Sequence, residues 1–320
     1  MKTKAIVISD GKPDYVETDI DESAGVTIKV VSSSICGSDL HLMGLRWLEG
    51  RTPGHEFAGI APNGKAVAVE PVMGCGSCHY CDDGLLSHCE HGAEYLGVMR
   101  DGGMAEHVIV PADRLVELPS GLDPREACLV EPVAIALRGL DRFPEDARRH
   151  QRCLVIGAGP IGLAAAAACI SRGFDCDIMA RYEHQQIAAS RLGATAHTST
   201  KGLGSYGLVV DAIGSTESMR EAVQCCAPMA SISLLGTPWN GVEFDQGLQM
   251  KEVNILPATS YKCAAPGRTF EEAANLLLNQ PELSKAMISH RFPLEAGVEA
   301  FDTAANRSAG AIKVAFEMPI

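Results

Sequence analysis

Over the first 130 positions, apolar residues come in short β-branched runs: AIVIS, VTIKVV, KAVAVEP and EHVIVP, each broken by Gly, Pro or Asp. Such runs predict strands. Long irregular stretches separate them, the kind of segment that forms metal loops. After LVEP the pattern changes. VAIALRGL has helical spacing. RCLVIGAG is a continuous apolar run ending in glycines and predicts a buried strand. PIGLAAAAACISRG predicts an alanine-rich helix with Gly173 just past its end. FDCDIMA, GLVVDAIG, ASISLLG and NILPATSY predict further strands, and EHQQIAASRLGA and STESMREAVQCCAP predict helices among them. Alternating strands and helices imply an α/β fold with a parallel, doubly wound sheet. From about Thr269 the pattern gives a helix (FEEAANLLLN), an extended HRFPLE, a helix (AGVEAFDTAAN) and a closing strand (AIKVAFEM).

Composition narrows the class. A chain of 320 residues that is 46% hydrophobic and 21% charged has material for two domains. A net charge of -13 argues against a nucleic-acid partner. MKTKAIVISDG reads as a first strand, not a signal peptide, and IGLAAAAACI is far shorter than a membrane span. The expectation is a soluble cytoplasmic protein with no membrane partner. Of the twelve cysteines, four crowd between Cys75 and Cys89. The others sit mostly among apolar neighbours and read as small buried hydrophobes. The clustered set reads as metal ligands, not disulfides.

Three groups of residues carry chemistry. In GCGSCHYCDDGLLSHC, Cys75, Cys78, Cys81 and Cys89 suit a tetrahedral zinc with no open position. An iron–sulfur cluster fits the same ligands. SSSICGSDLHL, TPGHEFAG and LVEPVAIA bring Cys36, His55, Glu56 and Glu131 as mixed sulfur, nitrogen and oxygen donors. An open catalytic zinc site wants three such ligands and a displaceable water. Glu131 either binds the metal or holds that water. Each residue alone also has a plain reading: a core thiol, a satisfied histidine, a helix-start acid. In VIGAGPIGL, Gly157, Gly159 and Gly162 form GxGxxG between a strand and a helix, with Pro160 and Ile161 inside the motif. That context predicts a dinucleotide pyrophosphate at the helix start.

These constellations, in this order, resemble the zinc-dependent medium-chain dehydrogenases, the alcohol, sorbitol and threonine dehydrogenase group. CGSDLH is similar to that family's first zinc motif, GHEFAG to its second, and the four-cysteine lobe to its structural-zinc loop. The Glu131–Pro132 pair resembles the polyol and threonine branch. The resemblance implies a β-rich GroES-like catalytic domain over 1–130 and 271–320 and a Rossmann cofactor domain over 131–270. It implies two zinc ions. The catalytic one would be held by Cys36, His55 and Glu56, with Glu131 as fourth ligand or water-holder; the structural one would sit in the cysteine lobe. Asp39 would orient His55, Ser38 would hydrogen-bond the substrate hydroxyl, and His41 would pass the proton to solvent. A homodimer or homotetramer acting on a small alcohol or ketone is implied as well. IAPNGKAVAVEP is clipped relative to the family. In HLMGLRWLEGRTPGHE, Leu42, Met43, Trp47 and Leu48 are either pocket-lining or core, and Arg46 or Arg51 either meets a polar group or lies on the surface.

The cofactor is read at the end of the second strand of the α/β region. NAD enzymes place an acid there for the ribose hydroxyls. Here Ala180 and Arg181 stand at that position. Ala180 leaves room and Arg181 offers a fork suited to phosphate, so NADP(H) is expected over NAD(H). Asp211, Gly214 and Gly236 end strands and are expected to border the nicotinamide half. The expected activity is hydride transfer between a secondary alcohol or polyol and NADP. The rivals are an NAD-dependent polyol or amino-alcohol dehydrogenase, with Asp177 or backbone groups serving the ribose, and a non-catalytic nucleotide sensor on the same fold.

Overall fold

A computed structural model describes residues 1–145, 150–264 and 267–319. Arg148 and Arg149, the first residues of the basic run RRHQR, lie outside the described residues. The chain forms two compact units: Met1–Glu131 with Tyr261–Gln280 and Ile288–Ile320, and Pro132–Ser260 with Pro281–Met287.

The first unit is built on a seven-stranded sheet. In spatial order its strands are Ile288–Phe292, Lys313–Glu317, Val26–Ser34, Glu56–Ile60, Ala66–Val69 and Leu115–Glu117, with His107–Val110 also paired to Val26–Ser34. Only the pair Ile288–Phe292 and Lys313–Glu317 is parallel. Ile6, Ile28, Val30, Phe57, Val69, Met104, Val314 and Phe316 fill its core, with each side chain under 3% exposed. The clipped segment is a tight turn: Gly64 N donates to Ala61 O and Ala61 N to Lys65 O, closing the hairpin between Glu56–Ile60 and Ala66–Val69. Leu42 and Leu48 are buried in this core, so they are not pocket residues. Trp47 is 65% exposed. Arg46 lies against Gly11, and Arg51 donates to Met99 O at 2.7 Å.

The chain re-enters the first unit at Tyr261, earlier than the boundary expected at 271. Two interactions account for this. Cys263 N donates to Gly84 O at 2.8 Å. Arg268 grips the fully buried Glu70 with two parallel bonds, Nε to Oε1 at 2.8 Å and Nη2 to Oε2 at 2.7 Å. A buried carboxylate demands such a partner, and a forked guanidinium satisfies both oxygens.

The second unit is a six-stranded parallel sheet in the order Thr195–His197, Asp175–Met179, Arg152–Ile156, Tyr206–Asp211, Cys226–Leu234, Asn254–Pro257. Numbered within the sheet this is 3-2-1-4-5-6, the doubly wound dinucleotide-binding order. The strand order reverses between Arg152–Ile156 and Tyr206–Asp211, so the crevice that binds ligands in such sheets lies beyond those strand ends. The helix Pro160–Ser171 follows the first strand and is buried from Gly162 to Cys169. The scattered cysteines 128, 153, 169, 176, 225, 226 and 263 are buried free thiols. Among the described residues no helix is long and apolar enough to cross a membrane.

Asp177 anchors the second strand. It is 6% exposed and accepts from Arg152 Nη2 at 2.7 Å and Tyr206 Oη at 2.9 Å, with His197 Nε2 at 2.6 Å. Burial alone raises its pKa, but the bonds from His197, Arg152 and Tyr206 outweigh that and hold it below the ordinary carboxylate value. A depressed folded-state pKa stabilises the fold above the unfolded value of about 4, and that contribution is lost as pH falls through the folded value. Asp177→Asn should therefore cost about 2 kcal/mol at pH 7. In urea melts between pH 7 and 3, the gap between variant and wild type should narrow as pH falls.

Candidate active site

The site in the first unit begins where the strand Val26–Ser34 ends. Two residues on, Cys36 stands ahead of the helix Gly37–Gly44. Asp39, at the third helical position, accepts from Cys36 N at 2.8 Å through Oδ2. Its other oxygen lies 3.4 Å from His55 Nδ1. One fully buried carboxylate thus closes the helix start and faces the imidazole, which leaves His55 Nε2 for a ligand. His55 follows Gly54, whose φ is +102° and where a side chain would run into Met104 and the Ser33 hydroxyl. Ser38 and His41 share the helix three residues apart, which puts them on one face.

Cys36, His55 and Glu56 bring their ligand atoms within 4.8 Å of one another. Burial alone lowers the pKa of His55, but Asp39 and Cys36 carry it well above the ordinary imidazole value. Glu56 is fully buried and held by residues that the motifs did not flag. Lys313 Nζ donates to its Oε1 at 2.8 Å and its Oε2 at 2.7 Å, and Ser34 Oγ donates to Oε2. A carboxylate offers about four lone-pair sites. Three are used, and one remains on Oε1. The sequence did carry a signal for Lys313: a lysine inside the apolar strand AIKVAFEM. Glu131, 8% exposed, lies outside the three-residue cluster but within its field. Burial pushes its carboxyl up to about 8, with His55 lowering it and Glu56 raising it.

The cysteine lobe forms a second cluster, its four sulfurs within 4.8 Å of one another. Cys78 and Cys81 lie 3.5 Å apart, Cys75 and Cys81 3.9 Å, and Cys75 N donates to Cys89 Sγ at 3.2 Å. Thiolates around one tetrahedral ion at about 2.3 Å lie about 3.8 Å apart. The spacing therefore suits one ion; an iron–sulfur cluster interposes several irons and sulfides and needs its thiolates farther apart. Hydrogen bonds from the Ser77 hydroxyl and N–H bring the pKa of Cys75 down to about 6, as a thiolate ligand requires.

In the second unit, Gly157 ends the strand Arg152–Ile156 with φ +97°. A Cβ on Gly162 would run into the Gly157 carbonyl oxygen, so helix and strand pack as closely as the motif requires. Gly159 caps the helix Pro160–Ser171, and its Cβ position faces open space where a pyrophosphate can approach. Pro160 and Ile161 are the first two residues of that helix. Ala180 is fully buried just past the strand Asp175–Met179, and Arg181 is exposed beside it. The Arg181 and Tyr182 amides donate to Gln185 Oε1, closing the start of the helix Glu183–Arg191. Asp177 is buried within the strand, and its two oxygens already accept from Arg152, Tyr206 and His197.

Asp211 is also engaged. Its Oδ1 accepts from Ile213 N and Gly214 N and its Oδ2 from Ser218 Oγ, so it shapes the turn that follows the strand. Gly214 and Gly236 pack backbone against backbone. Ile213, which no motif singled out, is 49% exposed and sits over Gly157.

Comparison with known proteins agrees with this construction. The Alcohol dehydrogenase GroES-like domain matches residues 22–120, and the Glucose dehydrogenase C-terminus matches residues 125–318. The chain is 30% identical to the L-galactonate-5-dehydrogenase of Escherichia coli K12, over 86% of each chain. It is 25% identical to the galactitol 1-phosphate 5-dehydrogenase of the same strain, over 90% of this chain and 91% of that one. The solved structure of the short chain alcohol dehydrogenase RspB from E. coli CFT073, complexed with NADH, is 25% identical and superposes with a TM-score of 0.86 over 99% of each chain. The chain belongs to the zinc-dependent medium-chain dehydrogenase family. It is an oxidoreductase with a GroES-like domain and a Rossmann domain.

Replacing Lys313 with Met should expose how much the site depends on it. Glu56 would be left buried and charged with only Ser34 as partner, at a cost of about 3–5 kcal/mol. Thermal unfolding of the metal-free chain should detect this as a fall in Tm.

Proposed function

We propose that this chain oxidises a secondary hydroxyl of a polyol, or reduces the matching ketone, with NADP(H). In this reading Cys36, His55 and Glu56 hold a catalytic zinc, with Glu131 as fourth ligand or holder of its water. Cys75, Cys78, Cys81 and Cys89 hold a second, structural zinc. The observation that carries the reading is the convergence of Cys36, His55 and the last lone pair of Glu56 beside Ser38 and His41. The donor set fits: sulfur, nitrogen and oxygen with a weakly held fourth position for a catalytic ion, and four sulfurs for a closed one. The relatives named above act on galactitol 1-phosphate and L-galactonate, which supports a polyol chain as substrate.

A zinc ion held there would polarise the substrate oxygen, and a bound nicotinamide would exchange hydride with its carbon. The protein supplies the proton path and the geometry. Ser38 accepts the proton of the carbinol hydroxyl, and His41, on the same helix face, passes it to solvent. Asp39 fixes the orientation of His55, and Lys313 fixes that of Glu56. Gly157, Gly159 and the free amides of the helix Pro160–Ser171 receive the pyrophosphate. Ala180 and Arg181 favour the 2′-phosphate of NADP: no carboxylate repels it, and an exposed guanidinium stands beside the strand end. The second reading, NAD, is supported by the NADH in the RspB structure. It would place the ribose on backbone groups or on Asp177, whose oxygens already serve Arg152, Tyr206 and His197.

Two measurements test the proposal. Arg181→Asp should lower kcat/KM for NADP⁺ by about 30-fold while leaving NAD⁺ within a factor of a few; an unchanged ratio overturns the cofactor assignment. Elemental analysis should find two zinc ions per chain, and one in Cys89→Ser. Dialysis against a chelator should abolish turnover of a polyol panel until zinc is restored, and turnover by metal-free enzyme would overturn the zinc assignment.

A further inference from the structure

The helix that carries Ser38 and His41 begins at Gly37, and one cation lies against that start. A side chain on Gly37 would begin 3.5 Å from Arg307 Nη2, with no other atom beyond its chain neighbours and its own helix within 4 Å. Gly37 is exposed and its φ is not left-handed, so the backbone there does not call for glycine. What the missing side chain provides is room beside the guanidinium, one residue from Cys36 and one from Ser38. The backbone of Arg307 is held in place. It opens the turn Arg307–Ala309, where Gly310 N donates to Arg307 O at 3.4 Å and Gly310 takes φ +105°. The strand that follows, Lys313–Glu317, is tied to the residue before Cys36. Ile35 N donates to Val314 O at 2.9 Å, and Lys313 Nζ donates to Ile35 O at 3.2 Å.

Arg307 is exposed, and among the described residues it makes no hydrogen bond or ion pair. Arg51, Arg100, Arg125, Arg268 and Arg291 of the same unit each donate to a carboxylate or a carbonyl. Arg46, also without such a bond among the described residues, lies against Gly11 in the N-terminal hairpin. The buried cation near the helix start, Lys313, is taken up by Glu56 and Ile35. An anion arriving beside Gly37 therefore meets Arg307 as a positive charge with its donors uncommitted. The planar fork of a guanidinium matches two oxygens of a phosphate at once.

We propose that Arg307 is a phosphate-binding residue of the catalytic unit, holding a phosphate ester beside Gly37. The proposal rests on the oxidoreductase reading above, which offers two sources of that group. One is a polyol phosphorylated at a carbon away from the one oxidised. The other is the dinucleotide, whose nicotinamide has to meet the substrate carbon near Ser38. Either way the contact holds a part of a reactant that does not react, so its loss shows in KM and leaves kcat nearly unchanged.

The test uses zinc-loaded enzyme and Arg307→Gln, which removes an exposed charge and should leave Tm as in wild type. Galactitol and galactitol 1-phosphate differ only by the phosphate. If the substrate carries the group, Arg307→Gln raises KM for galactitol 1-phosphate about tenfold and leaves KM for galactitol unchanged. If the dinucleotide carries it, KM for NADP⁺ and for NAD⁺ both rise about tenfold with galactitol as co-substrate. The equal loss separates this role from that of Arg181, which bears on NADP⁺ alone. Arg307→Lys keeps the charge without the fork and should recover part of either loss. Calorimetric titration with ADP-ribose and with galactitol 1-phosphate gives a readout without turnover, and Arg307→Gln should weaken one of them about tenfold. Unchanged KM and Kd for every phosphate-bearing ligand overturns the proposal, as does a wild type that binds neither titrant. If no alcohol is turned over but Arg307→Gln still weakens a titrant, the oxidoreductase reading fails and the phosphate site stands.

Discussion

The pair Lys313–Glu56 is the interaction on which the catalytic unit turns. The ammonium is 2% exposed and the carboxylate fully buried. Lys313 reaches three places at once: both oxygens of Glu56 and the carbonyl of Ile35. It belongs to the last long strand, Glu56 opens the strand after His55, and Ile35 precedes Cys36. One buried cation therefore fixes the C-terminal return of the chain against both segments that carry zinc-ligand candidates. Two charges taken out of water are stable together only when the geometry is close to ideal, so this pair tolerates little displacement. It also determines how Glu56 can act, with a single lone pair left to offer.

The same logic separates structural acids from functional ones throughout the molecule. Asp177, Asp211 and Glu70 are all buried, and each accepts from several donors packed around it. Asp39 divides its two oxygens between a helix start and an imidazole. Glu131, by contrast, makes no hydrogen bond among the described residues, and burial pushes its carboxyl up to about 8. Burial does not mark the site, since all these groups share it. What marks it is unfilled hydrogen-bonding capacity next to a metal-ligand set.

Much of this was legible in the residue pattern, and the failures have identifiable causes. The parallel strands Arg152–Ile156 and Tyr206–Asp211 are buried on both faces, so they read as nearly continuous apolar runs. The hairpin strand Lys12–Asp19 went unread because its residues are mostly polar; it is held by register with Lys2–Ser9 and not by its own hydrophobicity. The helix Gly37–Gly44 opens on Gly-Ser-Asp, which reads as a loop until Asp39 closes its start. The return to the first unit was placed ten residues late, since the bonds of Cys263 and Arg268 to partners far away in the chain leave no local signature.

The sequence by itself determined the fold class, the two clusters of metal-ligand candidates and the glycine loop. These depend on spacing within short segments, where local geometry and composition suffice. Tertiary structure alone decided which polar groups are already spoken for. It gave Asp177 and Asp211 protein partners for their oxygens, sent Leu42 and Leu48 into the core, and gave Glu56 its lysine. It also left the buried Tyr261 hydroxyl without a partner. Whether a buried donor or acceptor is satisfied depends on neighbours brought together from distant parts of the chain, and no local pattern encodes it.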